Sequence, residues 1–308
     1  MSRARAVVFA YHDVGVRCLK TLLSAQVEIA LVVTVPDDPS EQRWYASVAA
    51  TAADYGLRTM AAAAANTAGL ERELRALQPD FIFSFYYRSL LGAPLLATAR
   101  RGALNMHGSL LPKYRGRAPV NWAILRGERE TGATLHHMVE RADAGDIVDQ
   151  MSVPILVDDD AREVFAKVTV AAELILARSL PGLIDGSAPR RPQRMEAGQY
   201  FGRRRPEDGR IDWQRPALEI HNLVRAVAPP FPGAFAQVGG ERWDIHRTRV
   251  SERSAPAAGA RLFGADGGLY AACGGGGVLQ LITVADERGP LDVPRLSQAL
   301  AQRPVPLT

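Results

Sequence analysis

The sequence predicts an α/β fold: a mostly parallel sheet in the first part of the chain, then a smaller β-rich domain. Two patterns carry this. A continuous apolar run at 6–10 and mostly apolar runs at 29–35 and 80–85 alternate with stretches of helical spacing, as expected of strands covered on both faces. Beyond Phe235, short strands separated by Gly, Asp and Ser take over, the pattern of a small antiparallel domain. With 308 residues the chain is long enough for two cores, and 47% apolar with 23% charged is ordinary for a globular protein.

The first strand, Ala6 to Ala10, feeds a turn at Tyr11–Gly15 and a helix marked by Val16, Leu19, Leu22 and Leu23. The unit is Rossmann-like but lacks G-x-G-x-x-G, so no dinucleotide is implied. Residues 29–35 form the second strand, closed by the Pro36-Asp37-Asp38-Pro39 turn. A helix through Trp44, Val48 and Ala52 is expected to end at Gly56. A short strand near 57–60 then leads into the alanine run 61–65, and Leu70, Leu74 and Leu77 mark a helix that stops before Pro79. The fourth strand, 80–85, ends in Tyr86-Tyr87-Arg88, where aromatics and a guanidinium can stack on and clamp a flat anionic ligand.

A short apolar strand, Ala103-Leu104, runs out into Asn105-Met106-His107-Gly108-Ser109. While strand geometry persists, Asn105 and His107 face the same way at the carboxyl edge of the sheet, where ligands bind in open α/β folds. Asp143 arrives later on a turn between two strands, 134–139 and 146–155. An amide donor, a group titrating near neutrality and a carboxylate suit acyl transfer to an amine. Adjacent His136 and His137 would face opposite ways on a strand, a poor chelate, and no metal is expected. Downstream, Asp160 and Glu163 form a capping box for a long helix expected to end near Pro181-Gly182. A Pro/Arg-rich linker follows, and Gly274–Gly277 reads as a hairpin turn because a phosphate loop would need Lys-Ser/Thr and a helix. The strands after 235 fit a small open barrel of the OB type.

The run Asn105-x-His107-Gly108-Ser109-Leu110-Leu111-Pro112, then Arg115-Gly116-x-Ala118-Pro119, Thr131-Gly132 and Asp143-x-Gly145-Asp146 resembles the 10-formyltetrahydrofolate-dependent formyltransferases. The resemblance implies Asn105, His107 and Asp143 as the catalytic trio, and a Rossmann-like formyltransferase domain followed by an OB-like one. It implies folate contacts at Ser89, Leu90, Leu91 and Arg117, and at Val139, Glu140, Arg141, Ala142 and Asp143. The strings Phe9–Asp13, Phe83–Arg88, Pro112–Arg117 and Arg141–Gly145 are similar to the domain that formylates UDP-4-amino-4-deoxy-L-arabinose in lipid A modification. That likeness implies sugar-nucleotide contacts at Tyr11, His12, Tyr87, Arg88, Arg203 and Arg204. Two other readings stay open: a methionyl-tRNA formyltransferase and a folate-binding protein without turnover. The fused dehydrogenase common in relatives is not expected here.

The expected divisions are a formyltransferase domain at 1–188, a linker at 189–210 and the β-domain at 211–308. A net charge of +4 suits an anionic nucleotide sugar and folate as well as it suits nucleic acid, and the resemblance favours the small molecules, with no nucleic-acid partner. No apolar run reaches the roughly 20 residues that span a bilayer, and a cytoplasmic protein is expected. Two cysteines, Cys18 and Cys273, read as reduced packing residues.

Overall fold

The computed structural model describes residues 3–36, 43–62 and 65–307. The expected turn residues 37–39 and positions 63–64 of the alanine run lie outside them. In chain order the elements of the first part are β1 (Arg5–Ala10), α1 (His12–Ser24), β2 (Glu28–Thr34), α2 (Val48–Asp54), β3 (Thr59–Ala61), α3 (Ala68–Leu77), β4 (Phe81–Phe85), α4 (Ala93–Leu96), β5 (Gly102–His107), β6 (Arg115–Gly116), α5 (Pro119–Leu125), β7 (Glu130–His137), β8 (Ile147–Pro154), α6 (Ala161–Asp185) and β9 (Tyr200–Phe201). They are followed by α7 (Ala217–Val227), β10 (Ala234–Val238), β11 (Glu241–Ser251), β12 (Arg261–Ala265), β13 (Gly268–Ala272), β14 (Val278–Asp286), β15 (Gly289–Pro290), α8 (Val293–Ala301) and β16 (Val305–Pro306).

Two compact units result: Met1–Pro119, Thr131–Val153 and Ala166–Phe201 make the first, and Val120–Glu130, Pro154–Phe165 and Gly202–Thr308 make the second. The stretch read as a linker is thus shared, with residues through Phe201 in the first unit.

The sheet of the first unit runs β3-β2-β1-β4-β5-β7-β8. Strands β1 to β5 are parallel where they pair, and β7 is antiparallel to β5. Strand order reverses between β1 and β4, so Tyr11 and Tyr86–Arg88 follow the carboxyl ends of the strands that flank the switch point. Val7, Phe9, Leu31, Val33 and Ile82 are wholly buried and form the core with Leu70 and Leu74 of α3. Burying a side chain of this size contributes roughly 1.5–3 kcal/mol. Local signals set the helix ends: Ser47 and Thr67 accept the N–H of Ala50 and Leu70, satisfying amides the helix leaves free. Gln78 closes α3 in the left-handed region before Pro79.

Two expectations need correction here. Trp44 lies before α2, which starts only after Ser47. Helix α6 starts at the expected capping box, with reciprocal 2.9 Å hydrogen bonds between Asp160 and Glu163, but it passes through Pro181 to Asp185. An interior proline costs about 3 kcal/mol. Burial of Leu180 and Leu183 at roughly 1.5–3 kcal/mol each is enough to hold the last turn.

The second unit is an antiparallel half-barrel, β10-β11-β14-β13-β12-β16 with β15 on β14. Trp213, Ile245, Leu262, Leu279 and Leu281 fill its core. The sequence reading did not anticipate α8. Asp292 caps it by accepting the Arg295 N–H at 3.0 Å, Pro294 sits in the first turn, and Leu296 and Leu300 pack on the core. The signal was present in Asp292, Pro294 and the apolar spacing.

Candidate active site

Strand β5 extends through His107, beyond the two residues first read as strand, so alternation holds and Asn105 and His107 share a face. Pairing with β7 places Asn105 opposite His136 and His107 opposite Thr134. After His107 the chain needs a glycine. A Cβ at position 108 would overlap the buried hydroxyl of Tyr86. The loop then folds back, with Ser109 donating its hydroxyl to the Lys113 carbonyl at 2.6 Å. This brings the Tyr114 carbonyl to 2.8 Å from His107 Nε2. A carbonyl only accepts, so Nε2 carries a proton and Nδ1 is turned toward Asp143, whose Oδ1 lies 3.6 Å away.

Asp143 sits on its turn in the left-handed region, φ 54°, which Asp tolerates better than most residues. Three contacts hold it there. Gly116 donates its N–H to Oδ2 at 2.9 Å. Gln193 donates to the main-chain carbonyls of Asp143 and Gly145 at 3.0 and 2.7 Å. Gly145 lies so close to the His137 carbonyl that a Cβ would collide with it. Burial alone would push the Asp143 carboxyl up. The facing imidazoles of His107 and His136 and the Gly116 N–H outweigh burial and hold it well below the usual carboxylate range. The carboxylate is thus ionised at neutral pH and can orient a neighbouring imidazole and stabilise its charged form.

A third group joins these. His136, 2% exposed, places Nε2 at 3.1 Å from Asn105 Nδ2 and 3.6 Å from Asp143 Oδ1. Asn105, His107 and Asp143 are therefore brought together at one corner, with His136 between the first and the last. Asn105 and Asp143 are both half-buried, so the corner is in part open to solvent.

On the other face of β7, His137 lines a cavity of about 290 Å³ with Leu96, Ala103, Met138, Val139 and Arg190. Burial, then Arg190, lowers the His137 pKa to about 4, so the ring is neutral at pH 7. Of the expected folate contacts, Val139 lines this cavity, while Glu140 and Arg141 are exposed on the turn that leads to Asp143. Ala142 is half-buried on the same turn. In the Ser89–Leu91 loop Leu91 is buried in the core and Leu90 is exposed. Asn66 clamps this loop by donating to the Leu90 carbonyl and accepting the Gly92 N–H. Arg117 is exposed, its own N–H donated to the Phe201 carbonyl.

The expected sugar-nucleotide residues divide. Arg88 reaches over the Tyr11 ring, 4.3 Å from its centroid, and donates to its hydroxyl at 2.8 Å. Tyr11 also hydrogen-bonds Tyr45, and His12 stacks on Tyr45 at 4.1 Å with Trp44 edge-on at 4.5 Å. Burial, with Arg88 adding to it, lowers the His12 pKa to about 3. Tyr87 instead packs on Phe9 in the core and donates its hydroxyl to the Ala62 carbonyl. Arg203 is exposed in the second unit, and Arg204 there lies over Trp122 and donates to the Asp208 carbonyl.

Sequence reasoning missed His136, Asn66 and Gln193 as parts of the site. Only His136 had a local signal, its place two residues after Thr134 on a strand bound to pair with β5. Among the described residues no group of three or more His, Cys, Asp or Glu is placed to hold a metal ion, and no helix is long and apolar enough to cross a membrane.

Residues 5–180 match the family described as formyl transferase, and residues 204–295 match the formyl transferase C-terminal domain. Solved structures share the fold at low identity. The N-formyltransferase from Helicobacter canadensis, in complex with folinic acid and dTDP-3-aminofucose, is 20% identical with a TM-score of 0.73, covering 91% of this chain and 99% of that one. WlaRD, a sugar 3N-formyl transferase solved in the presence of dTDP and 5-N-formyl-THF, is 19% identical with a TM-score of 0.71, covering 91% and 98%. HypX from Aquifex aeolicus, in complex with tetrahydrofolic acid, is 20% identical with a TM-score of 0.63, covering 96% of this chain and 47% of that one.

Proposed function

The chain belongs to the formyl transferase family, and from that premise we propose that it passes a formyl group from 10-formyltetrahydrofolate to the amine of a nucleotide-linked amino sugar. The convergence of Asn105, His107 and Asp143 on one corner of the sheet carries the reading. A cavity on the other face of β7, lined in part by Val139, Ala144 and Gly145 on either side of Asp143, is the proposed place for part of the co-substrate. Its walls are apolar at Leu96, Ala103 and Met138 and polar at His137, Asp146 and Arg190, and its volume lies just below the roughly 300–1,000 Å³ typical of ligand pockets. When bound, the co-substrate supplies an electrophilic formyl carbon.

The residues supply the rest. Asn105 donates a side-chain N–H to the formyl oxygen as negative charge grows there during attack by the sugar amine. His107, whose Nε2–H rests on the Tyr114 carbonyl, gives a proton to the departing nitrogen. Asp143 faces Nδ1 of the same ring and steadies its charged form. The amine attacks directly, so no serine or cysteine nucleophile is needed, and the proton it loses on forming the amide replaces the one His107 gives up.

Resemblance at the four strings from Phe9 to Gly145 favours UDP-4-amino-4-deoxy-L-arabinose as the acceptor, in a cytoplasmic step of lipid A aminoarabinose modification. Tyr11, His12 and Arg88 are the proposed sugar-nucleotide contacts in the first unit. Arg203 and Arg204, proposed as phosphate contacts, lie in the second.

The test is incubation of the protein with 10-formyltetrahydrofolate and a panel of UDP- and dTDP-linked amino sugars, read by mass. Gain of one formyl group on the UDP-aminoarabinose sugar is the expected result. Gain on a dTDP sugar alone overturns the acceptor but keeps the chemistry, and no gain on any member overturns the reading.

A further inference from the structure

We propose that His136 is a positioning residue that fixes the carboxamide of Asn105, so that one amide hydrogen is spent on the imidazole and the other is left aimed at the reacting oxygen. The inference rests on the formyl-transfer reading for its consequence, but its geometry stands on hydrogen bonds alone.

His136 Nδ1 lies 2.8 Å from the carbonyl oxygen of His137. That oxygen can only accept, so Nδ1 carries a proton, and in the neutral tautomer this leaves the lone pair at Nε2. Nε2 lies 3.1 Å from Asn105 Nδ2, and the contact therefore has the amide donating and the imidazole accepting. The opposite rotamer would set the Asn105 carbonyl oxygen against a lone pair. A side-chain amide is free to flip in solution, and its two faces differ little in shape. Here the ring selects one. Strand register makes the choice reliable, because Asn105 and His136 are directly opposed across the antiparallel β5–β7 pair. Neighbouring strands hold such side chains about 5 Å apart at Cβ.

The ring is itself fixed. It is 2% exposed, and its second nitrogen is tethered to its own strand. Asp143 Oδ1 lies 3.6 Å from Nε2, farther than Asn105 Nδ2 at 3.1 Å, so the amide is the nearer partner. One histidine thus stands between the oxyanion donor and the carboxylate. The sequence reading treated it only as half of a poor metal chelate.

Two substitutions separate the functions of the ring nitrogens. His136→Asn keeps a donor near Nδ1 but removes the acceptor at Nε2. His136→Gln places an acceptor near Nε2. We expect kcat of His136→Asn to fall about 30-fold, since losing control of one oxyanion donor costs part of the roughly 100-fold or more its removal costs. KM for both substrates should stay within about twofold. His136→Gln should restore most of the rate. The double variant Asn105→Ala/His136→Asn should be no slower than Asn105→Ala alone, because the histidine acts through the asparagine. Additive losses in the double variant, or equal losses in Asn and Gln variants at unchanged thermal midpoint, overturn the proposal.

A second readout needs no turnover. With ¹⁵N-asparagine labelling, and the Asn105 side-chain pair assigned from Asn105→Ala, the hydrogen-bonded amide proton should resonate downfield of its geminal partner. This separation should collapse in His136→Asn and persist in His136→Gln. If the wild type formylates nothing on the sugar panel, the functional reading fails while the amide spectrum still decides the positioning. An unchanged amide pair in His136→Asn refutes the positioning even in an active enzyme.

Discussion

Two buried histidine clusters, one in each unit, are built from nearly the same parts and do different things. In the second unit, His221 gives one ring nitrogen to the Thr248 hydroxyl and the other to the Val157 carbonyl, with Asp158 at 3.6 Å. Beside it Arg225 is buried and donates to Asn222 Oδ1 and to the carbonyls of Leu156 and Asp159. In the first unit, His107 also rests one nitrogen on a carbonyl and faces a carboxylate at 3.6 Å. The carboxylates differ. Asp158 is 39% exposed at its side chain, whereas Asp143 is 13% exposed and ringed by two imidazoles and an N–H. The first-unit cluster also holds a half-buried amide, Asn105, with a hydrogen left to give. The lesson is that a buried histidine alone signals little. What marks the reactive cluster is an ionised, enclosed carboxylate and a donor that still faces solvent.

The largest test of that contrast is His107→Ala, which should lower the formylation rate by about 100-fold or more, measured by product mass with the protein still folded. His221→Ala should leave the rate per folded molecule intact. If both variants lose rate alike, the two clusters are not functionally distinct. Arg225→Met should cost roughly 2–4 kcal/mol of stability, since carbonyls of Leu156 and Asp159 lose their donor. Urea denaturation measures this, and an unchanged midpoint would mean that the cluster is not structural.

The clusters also differ in their response to acid. Burial, then Arg225, lowers the His221 pKa against the pull of the Val157 carbonyl, and His137 is lowered to about 4 by burial and Arg190. A folded-state pKa below the unfolded value means the unfolded chain binds more protons, so stability falls as pH drops through about 6.5, the unfolded value. Asp143 is also depressed, but its contribution is complete above the unfolded carboxylate value and is lost only below about pH 4. The urea midpoint should therefore fall between about pH 7 and pH 5, and His221→Gln should fall less over this window. Asp143→Asn should show its deficit at neutral pH and converge on wild type only in strong acid. A pH-independent wild-type midpoint would remove the histidine account. The smallest effect expected is that of Arg88→Ala, which should raise KM for the nucleotide sugar about fivefold with little change in kcat. A fall in kcat at constant KM would take Arg88 out of the binding role.

The sequence by itself determined which segments become strands, because apolar runs have few other places to go. It also determined that Asn105 and His107 share a face, since strand alternation is a two-residue rule. The capping box at Asp160–Glu163 and the helix stop before Pro79 were likewise legible, being hydrogen-bond logic within four residues. Tertiary structure alone decided what meets that face. The register that sets His136 opposite Asn105, the Gly116 N–H on Asp143 and the reach of Gln193 across 50 residues to the Asp143 turn all depend on pairings between distant segments. So does the survival of α6 through Pro181, where buried leucines outweigh a local rule. Local periodicity encodes where a side chain points; only the packed chain decides what stands opposite it.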